Sequence, residues 1–311
     1  MYDTVFFTLP EYEANGVDFL SETPCFLENV AEHNYQGIPI ITGKVGGLRV
    51  SASRSQIKVK DGSLCKFFLG NNFQTLGRRD TQLAIEKLSD LLHLPMKKAT
   101  VTRMDVAQNF ILKHPPEVYF RKLGALKYAN RLQQPNGLYY ILNGGRLCFY
   151  DKNKEQKTHR KEIPELYQGR NVLRYERRHA QRLASQFNVE AVTGATLYNE
   201  GFYIMAVNQW KEGYQAIQKI NDITLNFQVM KTKQQMYKMG VLALTEQVGG
   251  QLELMAQIND AQKRGEISKK QAYDLRTAVN QACQLKEGFT AQNEAIEELT
   301  KKIAEAARFY R

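Results

Sequence analysis

Over the first 180 residues, apolar and polar positions alternate in short runs, the period of strands with one packed face and one wet face. Tyr2 to Leu9, Ile38 to Lys44, Leu48 to Ser53, Ser55 to Lys60, Ser63 to Leu69, Thr100 to Phe110, Gly137 to Leu142, Arg146 to Tyr150 and Val172 to Arg178 are predicted strands. Gly46-Gly47, Asp61-Gly62 and Asn143-Gly144-Gly145 read as hairpin turns, because such residues reach the left-handed backbone that tight turns need. Helical spacing interrupts the strands at Thr81 to Leu92, from Pro115-Pro116 to Leu123, and from His179 to Phe187. Beyond residue 190 the spacing is helical throughout. Phe202 to Ile220 and Leu252 to Lys263 are predicted helices, Ser268 opens another with Gln271 in capping-box position, and Thr290 caps a last one running to Phe309. The expected fold class is α+β. An antiparallel or mixed sheet with flanking helices on one face occupies residues 1–190, and an α-helical C-terminal region occupies 191–311.

Composition narrows the class. The 311 residues are 43% hydrophobic and 24% charged, enough for a real core, and carry a net charge of +11. A surplus of this size draws polyanions, nucleic acid ahead of an anionic membrane surface. Cys25, Cys65, Cys148 and Cys283 are too far apart for a zinc knuckle and are expected as buried free thiols of a reducing compartment. The N-terminus reads as neither leader nor anchor, and no apolar run approaches the roughly 20 residues of a membrane span, so a cytoplasmic location with no membrane partner is expected.

Two segments carry candidate chemistry. In Thr102 to Phe110, period two puts Arg103, Asp105, Ala107 and Asn109 on one face. In Asn171 to Arg178 it puts Arg174, Glu176 and Arg178 on one face. One carboxylate flanked by cations is an ordinary surface ion pair. Two such strands suggest acids that hold a hard metal ion and arginines that hold phosphate. Between them, Tyr139 and Tyr140 precede an arm with Arg146, Tyr150 and Lys152 on one face. A tyrosine hydroxyl attacks phosphorus to leave a phosphotyrosine, but with a pKa of about 10 it needs a metal or cation beside it. A two-residue Asn143-Gly144 turn pairs Tyr139 with Cys148 on the cationic face; a three-residue turn pairs Tyr140 there instead. From Arg146 to Arg182, eleven Lys/Arg face five Asp/Glu, with Tyr139, Tyr140, Phe149, Tyr150, Tyr167 and Tyr175 in or beside the stretch, a composition suited to single-stranded DNA.

Phe67-Phe68-Leu69-Gly70-Asn71-Asn72-Phe73, the Thr102–Phe110 strand, Phe149-Tyr150-Asp151-Lys152 with Glu155, and Leu173-Arg174-Tyr175-Glu176-Arg177 follow one another in an order that resembles the phage/plasmid replication proteins of the gene II/X type. More distantly they resemble the replication initiation factors of staphylococcal rolling-circle plasmids. The resemblance spans roughly residues 1 to 220 and implies site-specific nicking and closing of DNA at a replication origin, on a single-stranded or cruciform segment. It implies Tyr140 as nucleophile; the two-residue turn keeps Tyr139 in reserve, and Lys152 or Arg174 is the expected charge-neutralising group. It further implies Asp105, Glu176 and Glu155 as ligands of Mg²⁺ or Mn²⁺. Arg103, Asn109, Arg146, Tyr150, Lys154, Arg177 and Arg178 are the expected DNA contacts. Where relatives carry a second acid, Asn109 stands. No His-hydrophobe-His motif occurs, which favours carboxylate ligands. Host replication machinery is the expected protein partner, and the C-terminal helices suit DNA recognition and homodimerisation equally. A mobilisation relaxase and a non-catalytic DNA-binding regulator are the alternative readings.

Overall fold

In the computed structural model, which describes residues 1–223, 227, 230–285, 290, 291 and 293–310, the alternating segments assemble into a ten-stranded sheet. Its strands are β1 (Tyr2–Pro10), β2 (Glu28–Tyr35), β3 (Ile38–Val45), β4 (Leu48–Ala52), β5 (Gln56–Lys60), β6 (Thr100–Leu112), β7 (Asn130–Gln134), β8 (Gly137–Leu142), β9 (Gly145–Asp151) and β10 (Asn171–His179). They lie in the order β2-β3-β4-β5-β1-β6-β10-β9-β8-β7. Every neighbouring pair is antiparallel, so the sheet is not mixed. The helices are α1 (Leu64–Leu69), α2 (Arg78–Leu92), α3 (Pro116–Lys122), α4 (Lys152–Thr158), α5 (Leu183–Phe187), α6 (Gly194–Leu197), α7 (Glu200–Gln215), α8 (Lys233–Gln247), α9 (Gln251–Lys263), α10 (Lys269–Cys283) and α11 (Glu294–Phe309). Among the described residues no helix is long and apolar enough to cross a membrane.

The central strands carry the core. Phe149 stacks on Tyr175 at 4.4 Å between ring centres, Tyr175 on Trp210 of α7 at 5.0 Å, and Phe110 lies 6.3 Å from the same indole. Such rings bury large apolar areas and hold α7 against the sheet. Gly213 permits this approach, since a Cβ there would meet Arg177 Nη1 at 2.8 Å and the Tyr175 hydroxyl at 3.0 Å. Ile296, Leu299 and Ile303 of α11 enter the same core. Thus α7 and α11, both expected in the C-terminal region, pack on the sheet, while α8, α9 and α10 bury small cores of their own around Leu242 and Ile258.

Several expected elements differ. Ser63 to Leu69 is a helix, not the second arm of a hairpin. The Ser63 hydroxyl accepts from Lys66 N, and Gly70 at φ 80° closes the turn, so capping outweighs the apolar run. Helical residues therefore lie on both faces of the sheet. His179 ends β10, and the helix after it begins only at Leu183. The helix carrying Trp210 starts at Glu200 and stops at Gln215. Thr290 sits in β12 (Thr290–Ala291), paired with β11 (Asp222–Ile223), and Asn293 caps α11 instead. The edge strands β2 and β7 are not among the predicted elements, nor is α8, although Thr232 and Gln235 form its capping box. Cys65 and Cys148 are buried as expected and Cys283 is half-buried, but Cys25 is exposed.

Candidate active site

Register brings the two charged strands side by side. On β10, Arg174 stands opposite Asn109, Glu176 opposite Ala107, and Arg178 opposite Asp105 of β6. On the other flank, Arg174 pairs with Tyr150, Glu176 with Cys148, and Arg178 with Arg146 of β9. Side chains directly opposite share a face, so all of these gather on one side. That side is a buried polar layer rather than an open surface. The segment from Ser63 to Thr75 covers part of it, and Asp105 and Glu176 are each only 2% exposed.

Within the layer the charges alternate. Arg103 holds Asp105 by two bonds, Nε to Oδ1 at 3.0 Å and Nη2 to Oδ2 at 2.6 Å. Arg178 bridges the two acids, donating to Glu176 Oε2 at 2.8 Å with Asp105 Oδ2 at 3.8 Å. Glu176 Oε1 accepts from Arg174 Nε at 2.6 Å and from the Tyr150 hydroxyl at 2.7 Å. Arg174 continues to Asp3 Oδ2 at 2.6 Å, to Asn109 Oδ1 at 3.2 Å and to the Asn72 carbonyl at 2.9 Å. Asp3 also accepts from the Ser63 hydroxyl. This third acid, on β1, belongs to no motif in the sequence. It reaches the layer only because β1 lies next to β6, 171 residues from its arginine.

The two acids titrate in opposite directions. Burial, reinforced by the charge of Glu176, raises Asp105 above the usual carboxylate range despite Arg103. Burial also opposes ionisation of Glu176, but Arg174 and Arg178 outweigh it and hold Glu176 well below that range.

Not every expected residue joins this layer. The Asn143-Gly144 turn is of the two-residue kind, with Leu142 opposite Gly145 and Tyr139 opposite Cys148. Tyr139 therefore shares the face of Glu176, while Tyr140 points into the apolar core. The Tyr140 ring is fully buried, and its hydroxyl donates to the Gly124 carbonyl at 2.6 Å. Burial pushes its ionisation upward. Tyr140, expected as nucleophile, thus has its hydroxyl turned away from the acids, and Tyr139 lies on the face that carries them. Burial, with Cys148 and the charge of Glu176, raises the Tyr139 hydroxyl too, against a smaller pull downward from Arg178 and Arg146.

Arg174 and Lys152 are 0% and 1% exposed, so neither reaches a phosphate in this conformation. Arg174 instead fixes Asp3 and Glu176. Lys152, lowered to about 8 by burial and by Arg174, is tied to Glu155 at 2.7 Å. Glu155 lies on α4 in that pair, and among the described residues no three acidic, histidine or cysteine side chains gather as a metal site. Lys154 pairs with Glu117 across to α3. Asn109, expected as a DNA contact, is buried and donates to the carbonyls of Asn72 at 3.0 Å and Phe73 at 2.8 Å. Arg177 falls on the opposite face, bonded to the Gln209 carbonyl of α7 at 2.7 Å. Phe149 and Tyr175 are likewise core rings, not base-stacking surfaces.

Tyr139, Arg146, Arg103 and Arg178 are the groups that reach solvent, the last two with side chains 27% exposed. Asp105 and Glu176 offer the oxygen donors that a divalent metal takes, but here every one of those oxygens is bonded, Asp105 to Arg103 and Glu176 to Arg174, Tyr150 and Arg178.

None of the curated proteins compared with the chain matches it. Residues 1–213, the whole ten-stranded sheet and nearly all of α7, match the family model that describes the N-terminal part of a phage replication-associated protein, and the chain belongs to that family of phage replication proteins of the rolling-circle type.

Proposed function

We propose that this protein starts rolling-circle replication by nicking one strand of a double-strand origin, with Tyr139 as the nucleophile. The observation that carries the reading is the row Tyr139–Cys148–Glu176–Ala107, which sets a half-exposed phenol two strands, roughly 10 Å along the backbone spacing, from Glu176 and three strands from the one that bears Asp105, on the same face as Arg146 and Arg178. Arg103 and Arg178, whose bonds to Asp105 Oδ2 and Glu176 Oε2 would have to open for a metal to enter, are placed to take the scissile phosphate instead. Those two carboxylates would hold Mg²⁺ or Mn²⁺, which supplies Lewis-acid polarisation of a phosphate oxygen when bound. Tyr139 Oη forms a bond to phosphorus as the bond from phosphorus to the 3′ oxygen breaks. The phenol proton passes to solvent, and the leaving oxygen takes up a proton to become a 3′-OH primer. The 5′-phosphotyrosyl link conserves the phosphodiester, so the reverse transfer closes the circle without a nucleotide cofactor. Arg146 and Arg178 favour the phenolate, and Arg174, held in place, keeps Glu176 ionised.

The test is incubation of supercoiled origin plasmid with Mg²⁺. Wild type gives nicked circles with protein attached. Tyr139→Phe loses both nick and adduct, while Tyr140→Phe keeps them. An adduct mapped by mass spectrometry to any residue other than Tyr139 overturns the assignment.

A further inference from the structure

A second cationic region lies beside the polar layer and takes no part in its ion pairs. A cavity of about 600 Å³ opens between the Gly46-Gly47 turn, the Asp61-Gly62 turn and α1, with Arg103 and Phe6 on its wall. Another of about 600 Å³ runs past Asn71 to Phe73 and Ile163. Lys66, Gly70 and Lys161 line both, so the two form one groove with a pair of lysines at the junction. Burial and repulsion from Lys161 hold Lys66 below the usual lysine range. Among the described residues neither lysine has an ion-pair partner. Glu155, which attracts Lys66 from a distance, is already held by Lys152 at 2.7 Å. Asp61 and Glu162 line the outer parts of the groove without reaching ion-pair distance.

Lys66 is half-buried and Lys161 exposed, and two like charges that face each other across a groove raise the free energy of the protein unless an anion sits between them. The groove ends at Arg103, the guanidinium that caps Asp105, and Arg103 lies over the Phe6 ring at 4.9 Å. An anion at the lysines is therefore on a path that leads into the candidate active site.

We propose that Lys66 and Lys161 together hold one backbone phosphate of single-stranded DNA, remote from the phosphate that is cut, and so thread the strand along this groove toward Arg103. The proposal rests on the nicking role only for the identity of the strand; the phosphate contact is testable by itself. A Lys-phosphate contact releases condensed counterions, and for single strands each contributes about 0.7 to the slope of log affinity against log salt. Binding of a fluorescent single-stranded oligonucleotide is measured by anisotropy over a salt series from about 0.05 to about 0.3 M NaCl. Lys66→Gln/Lys161→Gln is expected to bind about tenfold more weakly at low salt, with a slope shallower by about 0.7. Lys66→Arg/Lys161→Arg is expected to restore both, and Lys97→Gln, exposed in the loop between α2 and β6, to change neither. Wild-type affinity and slope in the double glutamine variant overturn the proposal. A tyrosine adduct elsewhere than Tyr139 overturns the nicking assignment and leaves this salt result intact, so the two failures are separable.

Discussion

Replacing Arg174 by methionine tests whether the polar layer is held together by its central cation. Arg174 is fully buried and donates to Asp3 and Glu176, each at 2.6 Å, and to Asn109 and the Asn72 carbonyl. Methionine fills much of the volume but leaves Asp3, 5% exposed, and Glu176, 2% exposed, without their shared partner. Removing one partner of a buried ion pair costs about 3–5 kcal/mol, because an uncompensated charge remains in a medium that solvates it poorly. Whole-protein stabilities are about 5–15 kcal/mol, so the loss is a large share. Urea denaturation followed by circular dichroism reads it as a lower midpoint at unchanged slope. Neutralising one stranded acid in Asp3→Asn/Arg174→Met should recover at least about 1 kcal/mol. A single-variant loss below about 1 kcal/mol, or a double variant no better than the single, would refute the reasoning.

Two further outcomes follow from local geometry. His179 is buried, its Nδ1 against Gln186 Oε1 at 2.6 Å, and burial lowers it to about 4. The unfolded chain takes up that proton near pH 6.5 and the folded chain only near 4, so stability is lost as pH falls through this window. The loss is at most about 3 kcal/mol, and urea midpoints of wild type against His179→Gln, taken from about pH 7 down to about pH 4, isolate it from the carboxylates. A pH dependence identical in both proteins removes the histidine as the cause. At Gly137, a Cβ would meet the Tyr139 hydroxyl at 2.9 Å and the Phe149 carbonyl at 3.1 Å. Gly137→Ala should slow single-turnover nicking at least about tenfold with a stability change under about 1 kcal/mol, since it displaces the ring but adds no charge. Unchanged nicking means that the ring's resting place is irrelevant to attack.

How much of this the sequence discloses depends on the range of the forces involved. Period-two alternation on Thr102–Phe110 and Asn171–Arg178 puts Asp105 and Glu176 on definite faces, and the structure keeps those faces. Alternation also favours the two-residue turn, and the structure has that turn, which puts Tyr139 rather than Tyr140, the residue the motif resemblance points to, on the face of Glu176. Ser63 to Leu69 is misread because an apolar run of that length suits either a buried strand or a short helix, and only the capping by Ser63 and Gly70 separates them. Asp3 is invisible for a different reason. Its role comes from a strand order that no local pattern encodes, and the same holds for Asn109 and Arg174, whose partners at Asn72 lie far away in the chain.

The docking of α11 on the sheet has a consequence for biosynthesis. The strands that bear Asp105, Tyr139 and Glu176 leave the ribosome long before residues 294–309, yet Ile296, Leu299 and Ile303 complete the core beneath them, and Tyr310 meets Thr75 at 2.8 Å, hydroxyl to hydroxyl, in the loop over the polar layer. A nascent chain stalled after α7 carries every residue of the catalytic proposal with part of its apolar floor still wet, in a sheet whose closure waits on contacts of very long loop length. On the proposed nicking role, cutting is expected only once α11 has been made and has docked, and a chain that stops short of it is expected to be idle.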